Sequence, residues 1–185
     1  MINDVLRDAE SRMKGAITSL KEDLAGFRTG RANPQLVEKL MVEMYGVEMP
    51  LQQLAAISVP EPQQLAIRPY DLKSISAIER AILKSDLGLT PNNDGKIIRL
   101  NLPALTEERR RDLVRLVGKR VEEAKVAVRN VRRDALNDLR DMKDEKMISE
   151  DAFYQAQDDL QKLTDKYVEQ IEEMGQDKEA EIMEL

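Results

Sequence analysis

Apolar residues recur at helical steps along both ends of this chain and in short extended runs through its middle. Ile2, Leu6, Ala9, Met13, Ala16, Leu20, Leu24 and Phe27 stand three or four positions apart. That spacing puts them on one stripe of a helix roughly 25 residues and about 37 Å long. Thr29-Gly30 ends the run, with Gly30 suited to the left-handed position just past a helix. A second helix opens at Thr106, a good N-cap, followed by Glu107 and Glu108 where the helix dipole favours acids. Its seam is Leu113, Val117, Val121, Ala124, Val128, Val131, Ala135, Leu139 and Met142. Ser149, followed by Glu150 and Asp151, restarts a third helix whose seam is Phe153, Ala156, Leu160, Leu163, Tyr167, Ile171 and Met174. A short turn near Met147-Ile148 makes the second and third helices antiparallel neighbours. Their exposed stripe needs a third surface, which the first helix supplies.

All seven prolines lie between Pro34 and Pro103. Proline breaks helices, so two uninterrupted helical arms flank a middle of another kind. There, Leu36 to Met44 reads as a strand-like run and Tyr45-Gly46 as a turn. Ala55 to Tyr70 reads as two extended segments around Pro60-Glu61-Pro62. Ser76-Ala77-Ile78-Glu79 reads as a capping box opening a short helix that Gly88 closes. Pro91 to Gly95 is a predicted turn, and Ile97 to Leu102 a last strand. The expected fold is α+β: a long three-helix bundle from residues 1–30 and 104–185, with a small α/β domain inserted at 31–103. The crossings at Gly30-Arg31 and Pro103-Ala104 are short, which predicts a hinge of limited freedom.

Composition narrows the chemistry. The 185 residues contain neither cysteine nor histidine. Disulfides, thiolate zinc sites, His-ligated metals and the common nucleophilic triads are all excluded. Glycines are scattered, with no phosphate-cradling loop, so no cofactor, metal or catalytic group is expected. The acidic pairs Asp158-Asp159 and Glu172-Glu173 read as a solvated face rather than as metal ligands. The first residues lack a signal peptide's basic start and apolar core, and no apolar run approaches membrane-spanning length. The expectation is a cytoplasmic, non-enzymatic protein.

Charge is what changes the picture. The chain is acidic overall, at −6, yet residues 109–133 hold ten Arg/Lys against three acids. From residue 134 onward seventeen acids face six bases. At about 100° per residue, with Lys125 at zero, Arg132 falls near −20°, Arg129 and Arg111 near 40°, and Arg133 and Arg115 near 80°, with the apolar seam at about −80°. The basic groups thus share one face, mostly as Arg, whose planar fork grips phosphate and stacks on bases. Arg28 and Arg31 at the end of the first helix, and the Arg109-Arg110-Arg111 start of the second, would extend the patch. A solubilising face mixes signs, whereas Lys125, Arg129 and Arg133 stack like charges one turn apart. Either an external polyanion such as RNA or the acidic third helix must compensate them. A helical adaptor or coiled-coil scaffold remains the alternative class.

Four segments carry a family resemblance: Arg28-Thr29-Gly30-Arg31-Ala32, Ser85-Asp86-Leu87-Gly88-Leu89, Pro103-Ala104-Leu105-Thr106-Glu107-Glu108-Arg109-Arg110, and Val126 to Ala135 with its Arg129-Asn130-Val131-Arg132-Arg133 core. In this order and over nearly the whole chain, the sequence resembles the ribosome recycling factors. The resemblance implies an L-shaped, two-domain molecule that acts as a monomer. It implies that the bundle lies on large-subunit ribosomal RNA in the post-termination 70S ribosome, and that elongation factor G drives the hinged domain with GTP hydrolysis until the subunits separate. Residues that the resemblance implies to hold RNA are Arg28, Arg31, Arg129, Arg132 and Arg133; the basic face read from the charges adds Arg110 and Lys125, and the short crossings place the hinge at Gly30, Arg31, Pro103 and Ala104.

Overall fold

The computed structural model describes residues 1–27 and 29–184. It divides into two compact units, one built from Met1–Phe27 and Arg111–Met183, the other from the intervening chain together with Glu184. The first unit holds three long helices: α1 (Ile2–Ala25), α4 (Glu107–Asp144) and α5 (Glu150–Met183). The second holds six strands and two short helices.

The bundle follows from three apolar stripes with no other place to go. Ala9, Met13, Leu20 and Leu24 of α1 are buried, as are Leu113, Val117, Val121, Ala124, Val128, Val131, Ala135 and Leu139 of α4. From α5 come Phe153, Ala156, Leu160, Thr164, Tyr167, Ile171, Gly175 and Ile182. Leu163 and Met174, expected in that seam, are only half-buried. Thr164 and Gly175 take inward positions instead. Both long helices start on hydroxyl caps: Thr106 Oγ1 accepts from Arg109 N at 3.1 Å and Ser149 Oγ from Ala152 N at 3.0 Å. Between α4 and α5 the chain reverses through Lys146, at φ 60°, with Met147 N donating to Met142 O. Helix α1 stops at Ala25, capped by Gly26 in right-handed geometry. Gly30 is not among the glycines with positive φ, so it is not the left-handed cap that its position in the sequence suggests.

Cross-helix contacts fix the order and direction of the bundle. Arg120 of α4 bonds Asp23 and Ser19 of α1, and Arg12 of α1 reaches Asp134 of α4 at 3.1 Å. The two helices therefore run antiparallel. Helix α5 runs back along α4, and Gly175 of α5 faces the Val121 side chain of α4. A Cβ on Gly175 would lie 2.7 Å from Val121 Cγ2. Helix α5 meets α1 through Tyr167, 3% exposed, whose hydroxyl donates to Glu10 Oε1 at 2.9 Å. Burial first, and the Glu10 bond second, push the Tyr167 phenol from 10.0 up to about 12. The same bond holds Glu10 below the usual carboxylate range, helped by Lys14 and Lys166.

In the second unit, β1 (Met41–Met44) and β2 (Val47–Pro50) form an antiparallel hairpin. Tyr45 and Gly46 turn it at φ 52° and 79°, the paired positive values of a type I′ turn. The single-turn helix α2 (Leu51–Leu54) leads into a four-stranded antiparallel sheet of order β3-β4-β6-β5. Its strands are β3 (Ala55–Glu61), β4 (Gln64–Pro69), β6 (Ile98–Asn101) and, at the edge, β5 (Pro91–Asn93). Leu65, Ile67, Ile98 and Leu100 alternate inward from the two central strands. Ile75, Ile78 and Ile82 of α3 (Ile75–Lys84) complete the same core. Several boundaries differ from the sequence expectation. The strand-like run from Leu36 begins only at Met41, because Pro34–Leu36 closes into a 3-10 turn under the Asn33 cap. The capping box at Ser76 does not form. Helix α3 starts one residue earlier, after a 3-10 turn whose cap is Asp71 Oδ1 accepting from Lys73 N. That helix stops at Lys84, and Gly88 takes φ 68° in the loop beyond. The turn expected over Pro91–Gly95 is confined to its last part, where Asp94 Oδ1 accepts from Lys96 N and Ile97 N at 2.9 Å each.

Two outcomes test the bundle packing. Replacing a helical glycine by alanine ordinarily stabilises by roughly 1 kcal/mol. At Gly175 the added methyl meets a stiff β-branched side chain, an overpacking cost of about 1–3 kcal/mol. Gly175→Ala is thus expected to lower the melting temperature, and Val121→Ala in the same molecule to cancel most of that loss. A raised melting temperature in the single variant would show the contact to be slack. The second outcome concerns pH. The folded phenol of Tyr167 keeps its proton until about 12, while the unfolded one loses it near 10. Its contribution is therefore complete below the lower value and disappears as the pH rises through the upper one. The stability advantage over Tyr167→Phe, followed by thermal melts from about pH 8 to 12, is expected to be flat and then to shrink.

Candidate nucleic-acid interface

Helix α4 carries the basic run, and its seam decides which of those side chains stay open. Arg129 and Arg133 lie well away from the buried stripe. Both are exposed, and neither has an ion-pair partner among the described residues. They stand one turn apart, about 6 Å along the axis. Two guanidinium forks thus face solvent with the like-charge stacking that the sequence predicts.

Lys125 and Arg132 lie nearer the seam, and the structure treats them differently. The Lys125 side chain is only 14% exposed, and its Nζ sits 2.9 Å from Glu172 of α5 and 3.4 Å from Glu122. The bond to Glu172 dominates and raises the ammonium above its usual value. Partial burial opposes the rise and Glu122 adds to it. At this position the acidic third helix does compensate the basic one. The expectation of a single open face holding all six groups is therefore corrected. Lys125 sits against the α4–α5 contact and is committed to the molecule's own carboxylates.

Arg132 is half-buried. Its Nη1 donates to Gln161 Oε1 of α5 at 2.8 Å, and its Nε–H is shielded with no partner. Gln161 Nε2 in turn donates to Asp165 Oδ1 at 2.8 Å, one helical turn on. Neither Gln161 nor Asp165 stands out in a search for basic residues. The only sequence signal is their four-residue spacing, a helical side-chain pair.

Other basic residues divide between open and internal uses. Arg115 is exposed, with Asp112 at 3.6 Å, while Arg120 serves the α1 contact described above. Arg111 is exposed. In the smaller unit, Arg31 is exposed and bonds Glu184, and Arg110 is half-buried with its Nε–H shielded and unpartnered. Arg28 lies outside the described residues. Of the four crossing residues, Thr29 Oγ1 accepts from Arg31 N, a small turn that leaves Gly30 half-exposed; Pro103 and Ala104 are exposed. Among the described residues no group of acidic side chains is arranged to hold a metal ion, and no helix is long and apolar enough to cross a membrane.

An exposed, partly unpaired guanidinium cluster on a rigid helix can do one thing well, which is to bind phosphate groups at fixed spacing. The family model "Ribosome recycling factor" matches residues 20–183. The ribosome-recycling factor of Roseiflexus castenholzii is 58% identical over all 185 residues, the whole length of both chains. That of Halalkalibacterium halodurans is 57% identical over the same span. A solution structure of the ribosome recycling factor superposes with a TM-score of 0.78 at 47% identity, covering 100% of this chain and 98% of the other. Models for the T. thermophilus recycling factor and the E. coli elongation factor G on the E. coli post-termination complex give 0.67 at 42% identity, with full coverage of both chains. The bundle, the inserted unit and these matches over the full length lead to one assignment: the chain belongs to the ribosome recycling factor family.

Proposed function

We propose that this protein binds the post-termination 70S ribosome through large-subunit RNA. With elongation factor G and its GTP hydrolysis it then splits the ribosome into subunits, freeing mRNA and tRNA. The observation that carries this reading is the open pair Arg129 and Arg133, with Arg132 beside them, on a helix of 38 residues. In this reading the protein performs no catalysis of its own. The protein acts as a monomer in the cytoplasm, and the work comes from the GTPase. Arg28, Arg31 and Arg110 extend the RNA contact, and Lys125 contributes less because it is already paired within the fold.

Motion of the smaller unit about Gly30, Arg31, Pro103 and Ala104 is the second part of the proposal. Backbone tethers support this placement. Ala32 N donates to Pro62 O at 2.6 Å and Leu102 N to Gln63 O at 2.8 Å, so both crossing strands are pinned to the β3–β4 turn. Freedom is left to the few residues between those tethers and the long helices. A Cβ added at Gly30 would meet nothing within 4 Å.

Two measurements test the proposal. Arg129→Ala with Arg133→Ala is expected to weaken co-sedimentation with ribosomes while leaving helicity and melting unchanged. It should also flatten the salt dependence by roughly 0.7–0.9 per lost phosphate contact, as for simple nucleic-acid helices. Unchanged binding would remove the electrostatic anchor. Gly30→Pro is expected to spare binding and slow subunit splitting in the presence of elongation factor G and GTP. Equal splitting, with circular dichroism showing an intact α1, would mean that hinge motion is not required.

A further inference from the structure

Lys125 and Arg132 stand seven residues apart on the same flank of α4, and both reach across to α5. What they meet there differs in charge. Lys125 meets a carboxylate directly, so its charge is cancelled where it stands. Arg132 meets a neutral amide, and the nearest carboxylate in that chain of bonds, Asp165, lies behind the amide. A side-chain amide has two faces of opposite polarity, and its orientation follows its partners. The Asp165 side chain accepts from the Gln161 NH₂, which turns the carbonyl oxygen toward α4. That oxygen accepts one Nη1–H of Arg132. It is the hydrogen bond that the described residues give this guanidinium, whose Nε–H has no partner.

We propose that Gln161, oriented by Asp165, is a positioning residue for Arg132. It fixes the plane of the guanidinium without neutralising it, so that the remaining N–H donors meet RNA phosphate or base already aligned. A flexible arginine loses rotamer freedom on binding; one held in advance loses less, and the difference appears as affinity. A carboxylate in place of the amide would hold Arg132 as firmly while removing the charge that RNA recognises, as happens at Lys125. This inference rests on the RNA-anchoring role proposed above.

The test is a double-mutant cycle read by ribosome pelleting, with the full-length protein and intact ribosomes. Gln161→Leu keeps the bulk of the side chain and removes both hydrogen bonds. Asp165→Ala leaves the amide present but free to turn. Each is expected to weaken binding roughly three- to tenfold, the range of one lost hydrogen bond, with thermal melting confirming an intact bundle. In a protein already carrying Arg132→Ala, neither change should weaken binding further, because the residue through which they act is gone. If Gln161→Leu binds like the native protein, or costs as much with Arg132→Ala as without it, the positioning role is overturned. If Arg132→Ala itself binds normally, the RNA anchor falls, and this inference falls with it.

Discussion

On the flank of α4 that faces α5, each basic side chain takes its fate from what α5 presents to it. Gly175 leaves room for the Val121 side chain to pack on α5, and polar side chains beside that seam lie within reach of the neighbouring helix. Groups at the edge are captured, Lys125 by Glu172 and Arg132 by Gln161. Groups a further 40° or so around the helix are beyond reach and remain open. The proposed binding surface is therefore what the packing leaves over, and the α4–α5 contact selects which arginines stay open.

The helices were readable because their signals are local and repeated. The α4 seam of Leu113 to Leu139 is buried residue for residue, and the caps at Thr106 and Ser149 form as their hydroxyls suggest. The smaller unit was readable in outline only. Ser76 and Glu79 have capping-box spacing, but Asp71 opens a 3-10 turn upstream and the helix has already begun by Ile75. Gly30 looks like a helix terminator in the sequence, yet α1 has stopped at Ala25 and Gly30 does not use its freedom of φ.

At the candidate site the angular arithmetic placed the side chains but not their partners. It put Lys125 and Arg132 on the basic face, where they are, and could not see that α5 presents Glu172 to one and Gln161 to the other. Charge totals blurred the distinction further. The acidic excess after residue 134 suggested a general counterbalance. In the structure it acts at particular positions, at Lys125 through Glu172 and at Arg12 through Asp134, while Arg129 and Arg133 are left out.

The two tethers at the base of the smaller unit bear on how the chain assembles. Ala32 and Leu102 bond to the consecutive carbonyls of Pro62 and Gln63, so the inserted segment leaves and re-enters at nearly one point. Once that sheet has formed, the stretch separating α1 from α4 no longer behaves as a long disordered loop. The entropy of closing a loop grows with its length, and here the effective length shrinks to a few residues at each crossing. Helix α1 can then find its place on the α4–α5 hairpin almost as quickly as if nothing had been inserted between them, provided that the sheet comes first.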